Sequence, residues 1–539
     1  MSESFDVVVI GGGPSGSCAA SMAAKAGLSV VLLERLKFPR DHIGESLLPA
    51  SMPILRELGV EAEIAAAGFP VKHGATMVWG SGSEPWTWSF SETNQEYTNA
   101  YQVNRPEFDT ILLNKARVVG VDVREENQVI EVIFLDERAV GVRCNNRLGT
   151  ELFIESRMVI DCSGQSSLIS RAKNLRQWDD SFQNLAIYGY FENSTPLPKP
   201  NENNIFIESF SEGWIWNIPL KENIASVGIV LDSKKASQEL QSRDVEDYFQ
   251  VNLSYAKESS RMLQSAKLLK PPQVVKDWSY TSSQIAGLSW VLAGDAACFI
   301  DPLFSSGVHM ALMSGVLASA YAVTVLSDPD MEIATARVYE DMIRREYSLF
   351  RELAQLFYQT NRSVDSYFWE ARKILGRGGI STGREAFIKA VSGQSVRGYE
   401  RAVLEKGELP ESFKYALESQ QNDRDSRRRE LEMYFNDWNH LVPYLHEDTY
   451  VVRKPVLSAG RFEWGLVLHS PERQDDTDCS SFVALLLDLI DGEANMRLIS
   501  ERVRDKVNSP DKTVINEYLK KTVEILYVEG AISKLQLVK

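Results

Sequence analysis

Cysteine is scarce in this chain, with five in 539 residues, at positions 18, 144, 162, 298 and 479. They are scattered, odd in number and lack C-x-x-C spacing. That argues against a disulfide framework or a thiolate metal site and fits a reducing, cytoplasmic location. Basic residues are not in excess: 58 Lys and Arg face 74 Asp and Glu, for a net charge of −16. A nucleic-acid surface is therefore not expected. No run of about 18 apolar residues stands out, so no membrane span is expected. The N-terminus carries Glu3 and Asp6 where a secretory leader needs a basic region. The remaining composition is that of a globular protein, and the length suits two or three domains.

The most informative stretch is Phe5–Glu34. An apolar run, Phe5-Asp6-Val7-Val8-Val9-Ile10, precedes Gly11-Gly12-Gly13-Pro14-Ser15-Gly16. The run reads as a buried parallel strand. Gly11, Gly13 and Gly16 fit G-x-G-x-x-G: a tight turn, an approach for a pyrophosphate, and close helix–strand packing. Alanines at 19, 20, 23, 24 and 26 suit a helix laid on a sheet, with its first N–H groups facing the diphosphate. Val30-Val31-Leu32-Leu33 is a second strand ending in Glu34, placed to accept from a ribose. The whole unit predicts dinucleotide binding.

Farther along, Met158–Gly164 and Trp290–Ala297 repeat the strand-to-turn pattern at which open α/β sheets bind ligands. Asp301-Pro302-Leu303-Phe304-Ser305-Ser306-Gly307 then leads into a small-residue helix, whose N-terminus is an anion site. A helix is expected over Leu47–Leu58 and one alternating strand over Val71–Gly80. By itself Lys72 there reads as a solvated lysine. Residues from about 335 turn helical and aromatic, and 411–445 reads as charged helix. Ser481–Ile490, Asn495–Val507 and Val514–Tyr527 read as amphipathic helices before a terminal strand, a winged-helix-like arrangement.

As a set, the glycine unit, Asp161-Cys162-Ser163-Gly164 and Gly294-Asp295 with Asp301-Pro302 resemble the FAD monooxygenases over residues 5 to 325. Trp214-Ile215-Trp216-Asn217-Ile218-Pro219 is W-x-W-x-I-P, and with it the chain resembles the flavin-dependent halogenases of phenol and pyrrole type. Lys72-His73-Gly74 matches that family's K-x-G context, and Pro39–Ser46 its P-R-x-H-x-G-E-S loop. Ser366–Arg372 resembles the carboxyl-terminal region of the same members. Tryptophan-type members carry a glutamate where this chain has Phe304.

The resemblance implies an α/β fold: an FAD-binding Rossmann-like domain with a β-sheet substrate layer, plus a helical C-terminal region. Domains are expected at 1–335, 336–455 and 456–539. It implies FAD held by Gly11, Gly13, Ser15, Gly16, Glu34, Arg40, Glu45, Ser46, Arg105, Asp295, Gly307 and Val308. Chloride is expected at Ser306 and Gly307. Lys72 is expected to carry the electrophile, inside a wall of Trp214, Trp216, Ile218, Pro219 and Phe304. Chlorination of an electron-rich ring, phenolic and possibly carrier-tethered, is expected, with free tryptophan a poor substrate. No second nucleotide fingerprint follows, so a separate flavin reductase is expected to supply reduced FAD. The rival expectations are an FAD hydroxylase or reductase on the same fold, and a non-catalytic flavin-binding protein.

Overall fold

Val7, Val8 and Val9 are each fully buried. A strand that is apolar on both sides must be covered on both sides, and this one lies at the centre of a parallel sheet. The computed structural model describes residues 3–79, 84–358, 383–393, 427–431, 433–434, 437–470, 476–506 and 512–538. The resemblance at Ser366–Arg372, the aromatics Tyr367, Phe368 and Trp369, the turn at Gly376–Gly379 and most of 411–445 lie outside those residues.

The first sheet orders Ala286–Gly287, Trp290–Leu292, Glu151–Asp161, Glu3–Ile10, Val30–Leu33 and Asp122–Arg124. Four of the five pairings along this path are parallel, as a βαβ path requires. Helix Pro14–Lys25 follows the central strand, and Gly307–Ser327 packs against it. Gly16 makes the join possible: a Cβ there would stand 1.9 Å from the Gly11 carbonyl oxygen. Helix Gly307–Ser327 is long and apolar enough to pass for a membrane span, contrary to expectation. Its most apolar window is 83% buried within the protein, as in a core helix.

Among the described residues the second sheet has nine strands and is almost wholly antiparallel. Its path runs Cys298–Phe299, Gln273–Ser282, Arg176–Glu192, Ile224–Asp232, Gly213–Pro219, Ile205–Phe210, Gly74–Val78 and Trp86–Ser89. One face is sealed by helices Ser233–Glu239 and Val245–Ser254, through a cluster that includes Ile187, Ile215, Ile229 and Phe249. The other face is left for the site.

The stretch Val71–Gly80 is not one strand. Val71–Lys72 pairs with Ala100–Tyr101 in a separate ribbon, and the chain joins the large sheet only at Gly74. Gly74 is required there, since a Cβ would lie 1.9 Å from the Trp88 carbonyl oxygen. The helix expected from Leu47 begins at Met52, after a single 3-10 turn, Pro49–Ser51.

Two compact units account for the chain. The boundary expected at 335 falls inside helix Glu332–Tyr358, and that at 455 inside strand Tyr450–Ser458. A helix cannot be divided where its hydrogen bonds run through, so the first unit continues past both sheets to include Gly383–Val391. The second unit holds helices Ser481–Leu489, Met496–Lys506 and Lys512–Val528 around Leu486, Ile499, Val503, Leu519 and Val523. Its last strand, Ile532–Leu537, pairs antiparallel with Leu441–Leu445.

Candidate active site

At the nucleotide end the glycine turn is held by Glu34. One carboxylate oxygen accepts from the Gly12 N–H at 2.7 Å, the other from the Leu36 N–H at 2.8 Å. Each oxygen keeps a lone pair for a ribose hydroxyl. At Gly13, among the described residues beyond its chain neighbours, a Cβ would meet only Arg40 Nη2 within 4 Å, at 3.4 Å. The turn therefore has an open cradle, a helix N-terminus and a guanidinium beside it, which fits the pyrophosphate of FAD.

Arg40 and Arg105 share one carboxylate. Asp109 takes two bonds from Arg105, at 2.8 and 2.9 Å, and faces Arg40 Nη1 at 3.4 Å. Arg105 Nη1 also reaches the carbonyls of Ile43 and Gly44, which fixes the loop that follows Arg40. Val308 touches the same loop: a Cβ on Gly44 would meet it at 3.8 Å. Asp295 sits just past strand Trp290–Leu292; desolvation pushes its carboxyl up to about 6 against the pull of Arg105.

Two residues assigned to the cofactor face elsewhere. The Ser15 hydroxyl lies 3.5 Å from Cys162 Sγ, packed inward between helix and sheet. Glu45 turns toward the second sheet, where it accepts from Tyr190 Oη at 2.9 Å and Ser226 Oγ at 3.4 Å. Burial raises its carboxyl pKa. Ser46 has a different task, described next.

Lys72 is not solvated: it is only 2% exposed. Its Nζ donates to Ser46 Oγ at 2.8 Å and to the Leu47 carbonyl at 3.1 Å, and lies 5.4 Å from the Phe90 ring centre. Desolvation lowers its pKa to about 7. The amine borders a tight cleft with about 10 Å³ of space for a water centre; Ile205, Ile207, Trp88, Phe304 and Ser305 are among its lining.

Ser305 leads directly into the N-terminus of helix Gly307–Ser327. Among the described residues the Ser306 hydroxyl is buried without a hydrogen-bond partner, and beyond its own helix backbone and chain neighbours nothing lies within 4 Å of a Cβ built on Gly307. An unsatisfied buried donor beside free space at a long helix's positive end suits a small anion.

On strand Gly213–Pro219, Trp214, Trp216 and Ile218 share one face, because side chains alternate. Trp216 stands directly opposite Ile207, which lines the cleft. It is pressed flat over Gly228, where a Cβ would fall 2.1 Å from its ring. Pro219 is the exception among the expected wall residues. It has the parity of Ile215 and points to the helix-covered face. Phe304 meets Phe357 edge-on at 5.2 Å and Phe387 at 6.2 Å, contacts that no local sequence signal announced.

Comparison with known proteins agrees with this geometry. The tryptophan halogenase family model matches residues 6–99 and 92–409. The tryptophan 2-halogenase of Chondromyces crocatus is 33% identical over 378 residues, covering 69% of this chain and 72% of its own. The 1H-pyrrole-2-carbonyl-(peptidyl-carrier protein) chlorinase of Pseudomonas fluorescens is 33% identical over 392 residues, covering 68% and 86%. The myxobacterial chondrochloren halogenase superposes with a TM-score of 0.64 at 39% identity, covering 77% of this chain and 96% of its own. CmlS, a flavin-dependent halogenase, superposes with a TM-score of 0.71 at 29% identity, covering 98% and 96%. With a nucleotide cradle at one end, a buried amine at the other and relatives that span both, the chain belongs to the flavin-dependent halogenases and is an FAD-dependent halogenating enzyme.

Proposed function

We propose that this enzyme chlorinates an electron-rich phenol or pyrrole, free or carried on an acyl or peptidyl carrier protein, with Lys72 delivering the electrophile. The buried amine of Lys72 beside the cleft carries this reading. Reduced FAD, drawn from a separate flavin reductase, supplies with oxygen and chloride an electrophilic hypohalous acid. Ser306 and the first N–H groups of the helix at Gly307 hold chloride by charge and hydrogen bonding. Ser46 and the Leu47 carbonyl take two of the Lys72 donors and aim the amine. Near neutral pH an appreciable fraction of that amine is uncharged, so it can take up chlorine or orient hypochlorous acid by a hydrogen bond. Trp214, Trp216 and Ile218 exclude water and separate the flavin side from the ring to be attacked.

Phe304 places an apolar ring where an acid would help an unactivated indole lose its proton. A phenol or pyrrole does not need that help, and the carrier-protein chlorinase among the relatives accords with a tethered substrate. The test is mass spectrometry of free and carrier-tethered phenols and pyrroles, with free tryptophan alongside. It is run with reductase, FAD, oxygen and either chloride or bromide. Chlorinated phenol or pyrrole is expected. Efficient turnover of free tryptophan overturns the substrate class, bromination alone overturns the halide, and hydroxylation without halide overturns the whole reading.

A further inference from the structure

Helix Glu332–Tyr358 runs up to the site, where Tyr358, 36% exposed, is the hub of a hydrogen-bond group whose other members are buried. Tyr358 Oη donates to Asp301 Oδ2 at 2.7 Å and accepts from Trp214 Nε1 at 2.6 Å. Asn184 Nδ2 completes the set, at 3.0 Å from the same Asp301 oxygen and 3.2 Å from Tyr358 Oη. The directions are fixed by chemistry, because an indole N–H only donates and an ionised carboxylate only accepts. Asp301 and Trp214 are each 2% exposed.

Asp301 is itself anchored at both ends. Its N–H donates to Ser279 Oγ at 3.0 Å, and its Oδ1 accepts from the Leu303 N–H at 3.0 Å. The second bond caps the turn Pro302–Phe304, which carries Phe304 and delivers the chain to Ser306. One hydroxyl thus connects the tryptophan wall to the turn that builds the anion end. The Tyr358 ring is held independently, edge-on to Phe182 at 5.5 Å and to Trp79 at 6.4 Å.

We infer that Tyr358 and Asp301 are positioning residues, a clamp that sets the Trp214 indole against the Pro302–Phe304 turn so that electrophile formed at the anion end reaches Lys72 and the ring. The inference rests on the reading under Proposed function. A buried indole needs some acceptor merely to fold. The clamp goes further, because the acceptor is bonded in turn to the element bordering the anion.

The test compares FAD-loaded wild type with Tyr358→Phe, which keeps the ring and its edge contacts. Halogenated product per FAD oxidised is measured with the phenol or pyrrole that wild type turns over best in the panel above. A fall of about tenfold is expected, with flavin content and reoxidation rate retained. Asp301→Asn keeps one acceptor oxygen, enough for either Tyr358 or the Leu303 N–H but not both, and should lower the yield as well. Trp214→Phe combined with Tyr358→Phe should be no worse than Trp214→Phe alone, because both remove the same bond. In ¹⁵N-tryptophan-labelled protein, the indole N–H signal that Trp214→Phe deletes should move upfield in Tyr358→Phe while the other indole signals stay in place. Unchanged product yield in Tyr358→Phe, additive losses in the double variant, or an unmoved indole signal each overturn the clamp. A wild type that halogenates no panel member overturns the functional reading, and the clamp with it.

Discussion

Lys72 Nζ donates a 2.8 Å hydrogen bond to Ser46 Oγ, joining a two-residue ribbon to the loop that also carries Arg40. The loop is pinned from several sides: Arg105 holds Ile43 and Gly44, while the Val103 N–H donates to the Glu45 carbonyl at 2.7 Å. The amine is therefore aimed by the same loop that closes over the nucleotide end.

Lys72→Ala should abolish halogenation while FAD binding and flavin reoxidation persist. Lys72→Arg should fail as well, because a guanidinium is a poor nucleophile and its fork does not replace a compact ammonium. The measurement is halogenated product per flavin oxidised. Comparable yields in all three proteins would remove Lys72 from catalysis.

The depressed pKa of Lys72 has a thermodynamic signature. The group titrates near 10.5 when unfolded and near 7 when folded. Between those values the unfolded chain holds a proton that the folded chain has shed, so this residue's contribution to stability rises with pH across that window and is lost as pH falls toward 7. Denaturant unfolding of wild type and Lys72→Met at about pH 6 and about pH 9 should show wild type gaining on the variant at the higher pH. A constant difference would mean the amine is not buried as described.

Gly16 and Gly13 should respond differently to added bulk. Gly16→Ala sets a Cβ against a backbone oxygen at 1.9 Å, which can only be relieved by moving the strand or helix, so unfolding at lower denaturant is expected. The Cβ of Gly13→Val meets the flexible tip of Arg40 rather than backbone, so the variant should stay folded, yet fill the cradle and come out colourless. Normal flavin content in Gly13→Val would place the pyrophosphate elsewhere.

Asp109 is fully buried and is the shared counter-ion of two guanidinium groups. Asp109→Ala removes the carboxylate that both face directly, leaving only the influence of Glu34 on Arg40 and of Glu45 and Asp295 on Arg105, and a loss of about 3–5 kcal/mol is expected for breaking such a buried pair. Thermal and denaturant unfolding of the apoprotein check it. A loss below about 1 kcal/mol would show that water or movement of Arg40 relieves the charge.

What could be read in advance depended on how local its cause was. The glycine turn, its flanking strands and the terminal helices follow from patterns within a few residues, and they lie where those patterns put them. Pro219 could have been placed correctly by the same alternation that put Trp214 and Trp216 together. Lys72 could not: its burial depends on the chain leaving one sheet at His73 and entering another at Gly74, and on Ser46 arriving from 26 residues away. Tyr358 carried only the helical aromatic pattern that ordinary packing also produces, and its partner Trp214 lies 144 positions earlier. Glu45 and Ser46 read from the sequence as part of a loop by the flavin, but their side chains serve the second sheet and the lysine.

The tryptophan signature occupies six consecutive positions, yet the object it specifies is larger. Trp216 lies flat where the strand beside it offers Gly228, and a tyrosine on a distant helix accepts the Trp214 N–H. Grafting the six residues onto another flavoprotein of this fold would transplant two indoles without the floor or the latch. A search for working members of such a lineage would do better to ask for the signature, a glycine facing its second tryptophan and a hydroxyl facing its first.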